Sequence, residues 1–195
     1  FKYEMEMQLE GLSTDLYMIP FQQFWGLPLT LAQLGSGVQF QPFKTVRDYD
    51  NWIKRMESFS AWSDSAIDNF RQGMKSGVVL PKILVRKILP QMKDLVSRDQ
   101  KKSVFWGPIK LMPKEFSAED KKRLTTAYTQ LITKKINPTY QKLHDFLKTE
   151  YLPKARDTHG IGSVPNGPFL YGYLARSWTT TSKTPEEIYQ TGLLE

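Results

Sequence analysis

Apolar residues recur at three- and four-residue spacing along most of the chain, a pattern that predicts helices. Val46, Tyr49, Trp52, Ile53 and Met56 share one face of a helix expected from Thr45 to about Ser60, where Thr45 and Asp48 form an N-terminal cap signature. A second helix is expected from about Trp62 to Lys75, with Ile67, Phe70 and Met74 inward and a stop at Gly77. A third spans Leu80 to about Val96, with Leu84 and Ile88 stacked four apart. Pro90 supplies no N–H and crowds the preceding turn, so a kink or interruption is expected there. The longest stripe is Leu124, Tyr128, Leu131, Ile132, Ile136, Tyr140, Leu143, Leu147 and Tyr151. It predicts one long core-facing helix, capped at Ser117-Ala118-Glu119-Asp120 and kinked at Pro138.

The remaining segments are punctuation. The first 43 residues are rich in Pro, Gly and Gln, and Met18-Ile19-Pro20-Phe21 and Gly26-Leu27-Pro28 predict partly buried turns between short helical pieces. Arg98 to Lys114 is a charged connection interrupted by aromatics. A Gly/Pro loop from His159 to Pro168 precedes a short aromatic helix from about Phe169 to Trp178. Thr184, Pro185 and Glu187 then announce a last helix running to Glu195, with an N-cap, a proline at the first position and a capping box. No alternating strand pattern of useful length and no solenoid repeat is found. The expected fold is all-α: antiparallel helices joined by short turns, with one long Pro-kinked helix. Residues 1–43 are expected to be an irregular lead-in to a helical core over 44–195, the whole forming one lobe.

Composition sharpens this picture. With 40% hydrophobic residues, 11 Phe, 9 Tyr and 5 Trp, the chain can fill a substantial core, which argues against general disorder. Its longest apolar runs fall far short of the roughly 20 residues needed to cross a bilayer. The absence of Cys excludes disulfides, thiolate nucleophiles and cysteine zinc sites within these residues, and leaves the compartment open. The net charge of +7 admits a basic helical module binding nucleic acid or an acidic partner. Against that, Lys101-Lys102, Lys121-Lys122-Arg123 and Lys134-Lys135 fall mostly on polar helix faces, while the neighbouring aromatics belong to the inward stripe. Solvated faces are the better reading, and no nucleic-acid partner is expected.

Candidate chemistry is sparse. His144 lies in the long helix beside the Tyr140/Leu147 stripe and reads as a packed or solvent-edge histidine. His159, in Asp157-Thr158-His159-Gly160, is the more plausible functional group, with a plain turn residue as the competing reading. Neither begins a His-Glu-x-x-His zinc arrangement, and no Gly-x-Ser-x-Gly elbow supports a serine triad. Gly160-Ile161-Gly162-Ser163 lacks the Lys-Ser/Thr of a phosphate loop, so tight turns explain its glycines.

Several stretches in chain order resemble a bacterial family described as domain of unknown function 885. They are Tyr17-Met18-Ile19-Pro20, Gln41-Pro42-Phe43-Lys44-Thr45 with Asp48-Tyr49, and Ser76-Gly77-Val78-Val79-Leu80-Pro81. Ile136-Asn137-Pro138-Thr139-Tyr140, Glu150-Tyr151-Leu152-Pro153-Lys154-Ala155-Arg156 and Tyr173-Leu174-Ala175-Arg176 continue the likeness, and Thr179-Thr180-Thr181 with Thr184-Pro185-Glu186-Glu187-Ile188 completes it. The resemblance implies a helical relative of metallopeptidases whose His-Glu zinc motif lies C-terminal to these segments, after a further helical region that precedes them. Trp25-Gly26-Leu27-Pro28 departs from the more polar turn expected there. The opening Phe1-Lys2-Tyr3-Glu4-Met5 and the well-announced final helix fit the same expectation, an internal piece of a larger bacterial protein.

The functional expectation is a non-catalytic scaffold that forms one wall of a substrate cleft in a zinc-dependent peptidase or related hydrolase. No cofactor is expected in this chain itself; zinc is expected in the parent protein. Its partners would be the remaining N- and C-terminal regions, a peptide substrate, and a second copy through exposed apolar faces. Candidate substrate-binding residues are Tyr173 and Arg176, which share a helix face, with Tyr171, His159 and Thr180 nearby. Tyr can donate to an oxyanion and Arg can grip a carboxylate with two hydrogen bonds. The competing reading is that these aromatics fill the core and Arg176 makes a surface ion pair.

Overall fold

The first 43 residues are more regular than their Pro, Gly and Gln content predicts. In the computed structural model, which describes residues 1–194, helix α1 covers Lys2–Leu12 and α2 covers Leu27–Gly35. Averaging over the segment hid the reason: residues 2–12 contain no proline and are built largely from Glu, Met, Gln and Leu, which are good helix formers. The irregular part is confined to the links, including a single 3-10 turn at Asp15–Met18. Glu195, where the last predicted helix was expected to end, lies outside the described residues.

Helix α3 runs unbroken from Val46 to Ser76, where two helices were expected. Its cap is reciprocal: the Thr45 hydroxyl accepts from the Asp48 N–H at 3.3 Å, and the Asp48 carboxylate accepts from the Thr45 N–H at 2.8 Å. The serine-rich middle does not break it. Ser58 and Ser65 donate to carbonyls one turn back, and Phe59, Ser63 and Ala66 are buried there. Gly77, at φ 85°, ends the helix in the left-handed conformation that only glycine adopts freely.

Helix α4, Lys82–Asp94, starts two residues later than the periodicity predicts and runs on through Pro90. The delay has a cause. Around Pro81 the chain is extended and bridges Arg156 in parallel: the Arg156 N–H donates to Leu80 O at 3.2 Å and the Lys82 N–H to Arg156 O at 2.8 Å. Leu80 and Pro81 are therefore spent on tertiary pairing. A short α5, Gly107–Lys110, follows.

The long helix forms as expected but is widened twice. α6, Ala118–Leu131, passes through a π turn at Ile132–Ile136 into α7, Asn137–Phe146, and a second π turn spans Leu147–Tyr151. Pro138 has no N–H to give the turn before it, and a wider turn there relieves its clash. All nine residues of the predicted stripe are buried. The Asp50–Arg123, Asp64–Lys142 and Arg71–Glu150 pairs rise together, so α3 and the long helix run in the same direction. Leu80 beside Tyr151 and Ser97 beside Asn137 set α4 antiparallel to them.

Helices α8, Gly167–Thr179, and α9, Pro185–Leu194, complete the chain, the latter capped by Thr184 and Glu187 as expected. The core is one large apolar cluster shared by α2, α3, α4 and the long helix. A second small cluster, Val164, Leu170 and Tyr173, joins α8 to Met7 and Leu16. Among the described residues no strand forms, and no helix is long and apolar enough to cross a membrane.

Candidate functional site

An apolar groove of about 600 Å³ opens along the seam between the two clusters. Its floor is the extended Val78–Pro81 segment, with Leu84 at the start of α4. One side is the Arg156–Val164 loop with Leu170 and Leu174 of α8, and the other is Leu16, Ile19 and the Gln22–Trp25 turn. Phe24 and Trp178 stand at the rim, 77% and 84% exposed. Large rings held in water beside an apolar hollow are costly unless something covers them.

Two side chains fix the floor. The Leu80 N–H donates to the Tyr151 hydroxyl at 2.8 Å, and the Arg156 Nε donates to Val79 O at 3.0 Å. Burial pushes the Tyr151 phenol up to about 12, partly opposed by the Leu80 N–H and the Arg156 charge. The Arg156 guanidinium also gathers its own loop: Nη1 reaches Thr158 O at 2.7 Å, Gly160 O at 2.9 Å and Ser163 Oγ at 2.9 Å. Burial pulls its pKa below the ordinary arginine value. Gly167 lets α8 start against this loop, since a Cβ there would lie 2.5 Å from Ile161 O.

The five predicted site residues divide. His159 is exposed and borders the groove. Tyr173 and Arg176 do share a face, but that face turns to α1. The Tyr173 hydroxyl donates to Met7 O at 3.1 Å, and the Arg176 guanidinium pairs with Glu10. Tyr173 is buried and also borders, with Thr180, a second hollow of about 560 Å³ between α1 and α8. Thr180 caps α8 at φ 56°, an unfavourable angle for a β-branched residue. Tyr171 points to solvent, half exposed, and borders neither hollow. Sequence reasoning missed Arg156, Phe24, Trp25 and Trp178 as groove residues. A signal existed for the first: the Val78–Pro81 and Tyr151–Arg156 segments that bridge here both carry the family resemblance.

His144 is mostly covered, and its Nδ1 lies 2.9 Å from Asp145 Oδ1. The Asp145 carboxyl is held below its usual value first by the Gln141 side chain and then by His144. Among the described residues no three His, Asp or Glu side chains converge as metal ligands. Lys101-Lys102, Lys122-Arg123 and Lys134-Lys135 are exposed, and Tyr128 and Tyr140 of the long helix are buried.

The sequence matches, over residues 1–195, the family described as bacterial protein of unknown function (DUF885). The chain belongs to this family. Among solved structures, a similar fold is found in a crystal structure described as that of the putative lipoprotein from Colwellia psychrerythraea. It aligns with a TM-score of 0.81 at 19% identity, over 90% of this chain and 30% of that one. The likeness shows the fold, and this DUF885 chain spans under a third of that solved chain. No curated protein matches it.

Proposed function

We propose that this DUF885 chain is a helical lobe that forms one wall of a substrate cleft in a hydrolase of the zinc-dependent peptidase type. The observation that carries the reading is the groove itself, a concave apolar site with a few convergent polar groups, the usual anatomy of a ligand pocket. Its volume suits a short peptide segment, and His159 and Arg156 supply the polar contacts. The floor is held by hydrogen bonds to Tyr151 and Arg156, so it is rigid before ligand arrives. Zinc, in this reading, is bound by residues outside positions 1–195, and this chain positions the substrate. The exposed apolar residues Leu9 and Leu12, on α1 and outside the groove, would meet the rest of the parent protein or a second copy.

The test is to assay the complete gene product on a mixture of unstructured peptides, with and without a chelator. Cleavage that is lost on chelation and restored by zinc is expected. Trp178→Ala, at an exposed position, is expected to lower kcat/KM at least about fivefold, a transition-state loss near 1 kcal/mol. Absence of metal-dependent cleavage, or a variant with parental turnover, overturns the proposal.

A further inference from the structure

We infer that the groove receives the C-terminal end of a peptide, with the free carboxylate at Arg156 and a bulky apolar side chain against Trp178 and Leu174. The argument starts from charge. Arg156 is only partly exposed, and among the described residues it makes no ion pair. Two other cations are already paired: Lys82 takes Asp157 at 2.9 Å and Arg71 takes Glu150 at 3.0 Å. Arg156 instead contacts neutral oxygens throughout, four of them crowded on Nη1.

Nη2 carries two N–H groups and makes one long bond, 3.3 Å to the His159 carbonyl. A net positive charge therefore remains on a residue that lines the hollow, whose other walls are mostly apolar, and one Nη2 N–H is uncommitted. A partly desolvated guanidinium gains most from a carboxylate, which it binds with charge-assisted hydrogen bonds. Arg176, the residue the sequence nominated for this role, is already paired with Glu10. The groove lies open along Phe24 and Trp178 and admits a branched main chain with side groups, whereas a straight acyl chain is best covered by an enclosed slot.

The inference rests on reading the groove as the cleft wall, and its test measures binding alone. The protein would be titrated with the tripeptide Ala-Ala-Phe as the free acid and as the C-terminal amide, following tryptophan fluorescence and heat. The acid is expected to bind, the amide at least about tenfold more weakly, and Trp178→Ala to weaken the acid about fivefold. Arg156→Lys, which keeps the charge and loses the planar set of donors, is expected to weaken the acid more than the amide and so narrow the preference between them, with circular dichroism confirming the fold. Equal binding of acid and amide overturns the inference. So does no binding of either up to about 10 mM, or decanoate binding more tightly than the acid. Acid-selective binding without turnover by the complete gene product would sink the hydrolase reading and leave this one standing. Turnover that ignores the C-terminal carboxylate would do the reverse.

Discussion

The buried Leu80 N–H donates to the Tyr151 hydroxyl across 71 residues of sequence, and this one bond fastens the floor of the groove to the end of the long helix. Removing the acceptor strands a buried donor, whose desolvation is not recovered. Tyr151→Phe is therefore expected to cost about 1–3 kcal/mol in urea unfolding, with helical content unchanged. A variant as stable as the parent would place that N–H elsewhere.

The same burial makes stability sensitive to alkali. Tyr49 and Tyr151 are pushed up to about 12, chiefly by desolvation, against about 10 in an unfolded chain. A raised folded value means that the contribution is fully present below about pH 10 and is lost as pH rises towards 12. Tm measured from pH 9 to 12 should hold up to about pH 10 and then fall. A flat profile across that range would contradict the burial of these phenols.

Helix α8 is docked on α1 by three hydrogen-bonded contacts: the Tyr173 hydroxyl to Met7 O, the Tyr3 hydroxyl to Arg176 O at 2.6 Å, and Arg176 with Glu10. The ion pair is about a third exposed on each side, so solvent screens it. A double-mutant cycle with Glu10→Ala and Arg176→Ala should give a coupling of about 0.5–1 kcal/mol. Zero coupling would show that the two helices do not meet this way.

Gly73 shows how tightly α3 approaches the groove floor. A Cβ there would lie 2.4 Å from Val78 O, a backbone atom that cannot step aside. Gly73→Ala gains about 1 kcal/mol of helix propensity and should still destabilise, by roughly 1–3 kcal/mol net, because the clash outweighs the gain. A stabilised variant would mean that Val78 is free to shift.

What was legible in the sequence was local. The caps at Thr45, Ser117 and Thr184 are set by residues three apart, and the stripe from Leu124 to Tyr151 repeats within each turn, so both can be read without knowing the fold. The continuity of α3 was not legible, because Ser58 and Ser65 favour breaks until their hydroxyls are seen to bond one turn back. The groove was even less so. Arg176 and Tyr173 were correctly placed on one face, but their partners lie 166 residues away on a helix hidden in a Pro/Gly-rich average. For Arg156 the one cue was that its segment carries the family resemblance, which says nothing of its charge. Its unpaired charge is seen only in the fold, where the neighbouring Asp157 pairs with Lys82.

The most direct measurement on the central claim is hydrogen–deuterium exchange of the complete gene product, with and without a saturating, uncleaved peptide. The account predicts slowed exchange confined to residues 16–25, 78–84, 156–164 and 170–178, the four segments that line the groove. Protection elsewhere, with these segments unchanged, would contradict it.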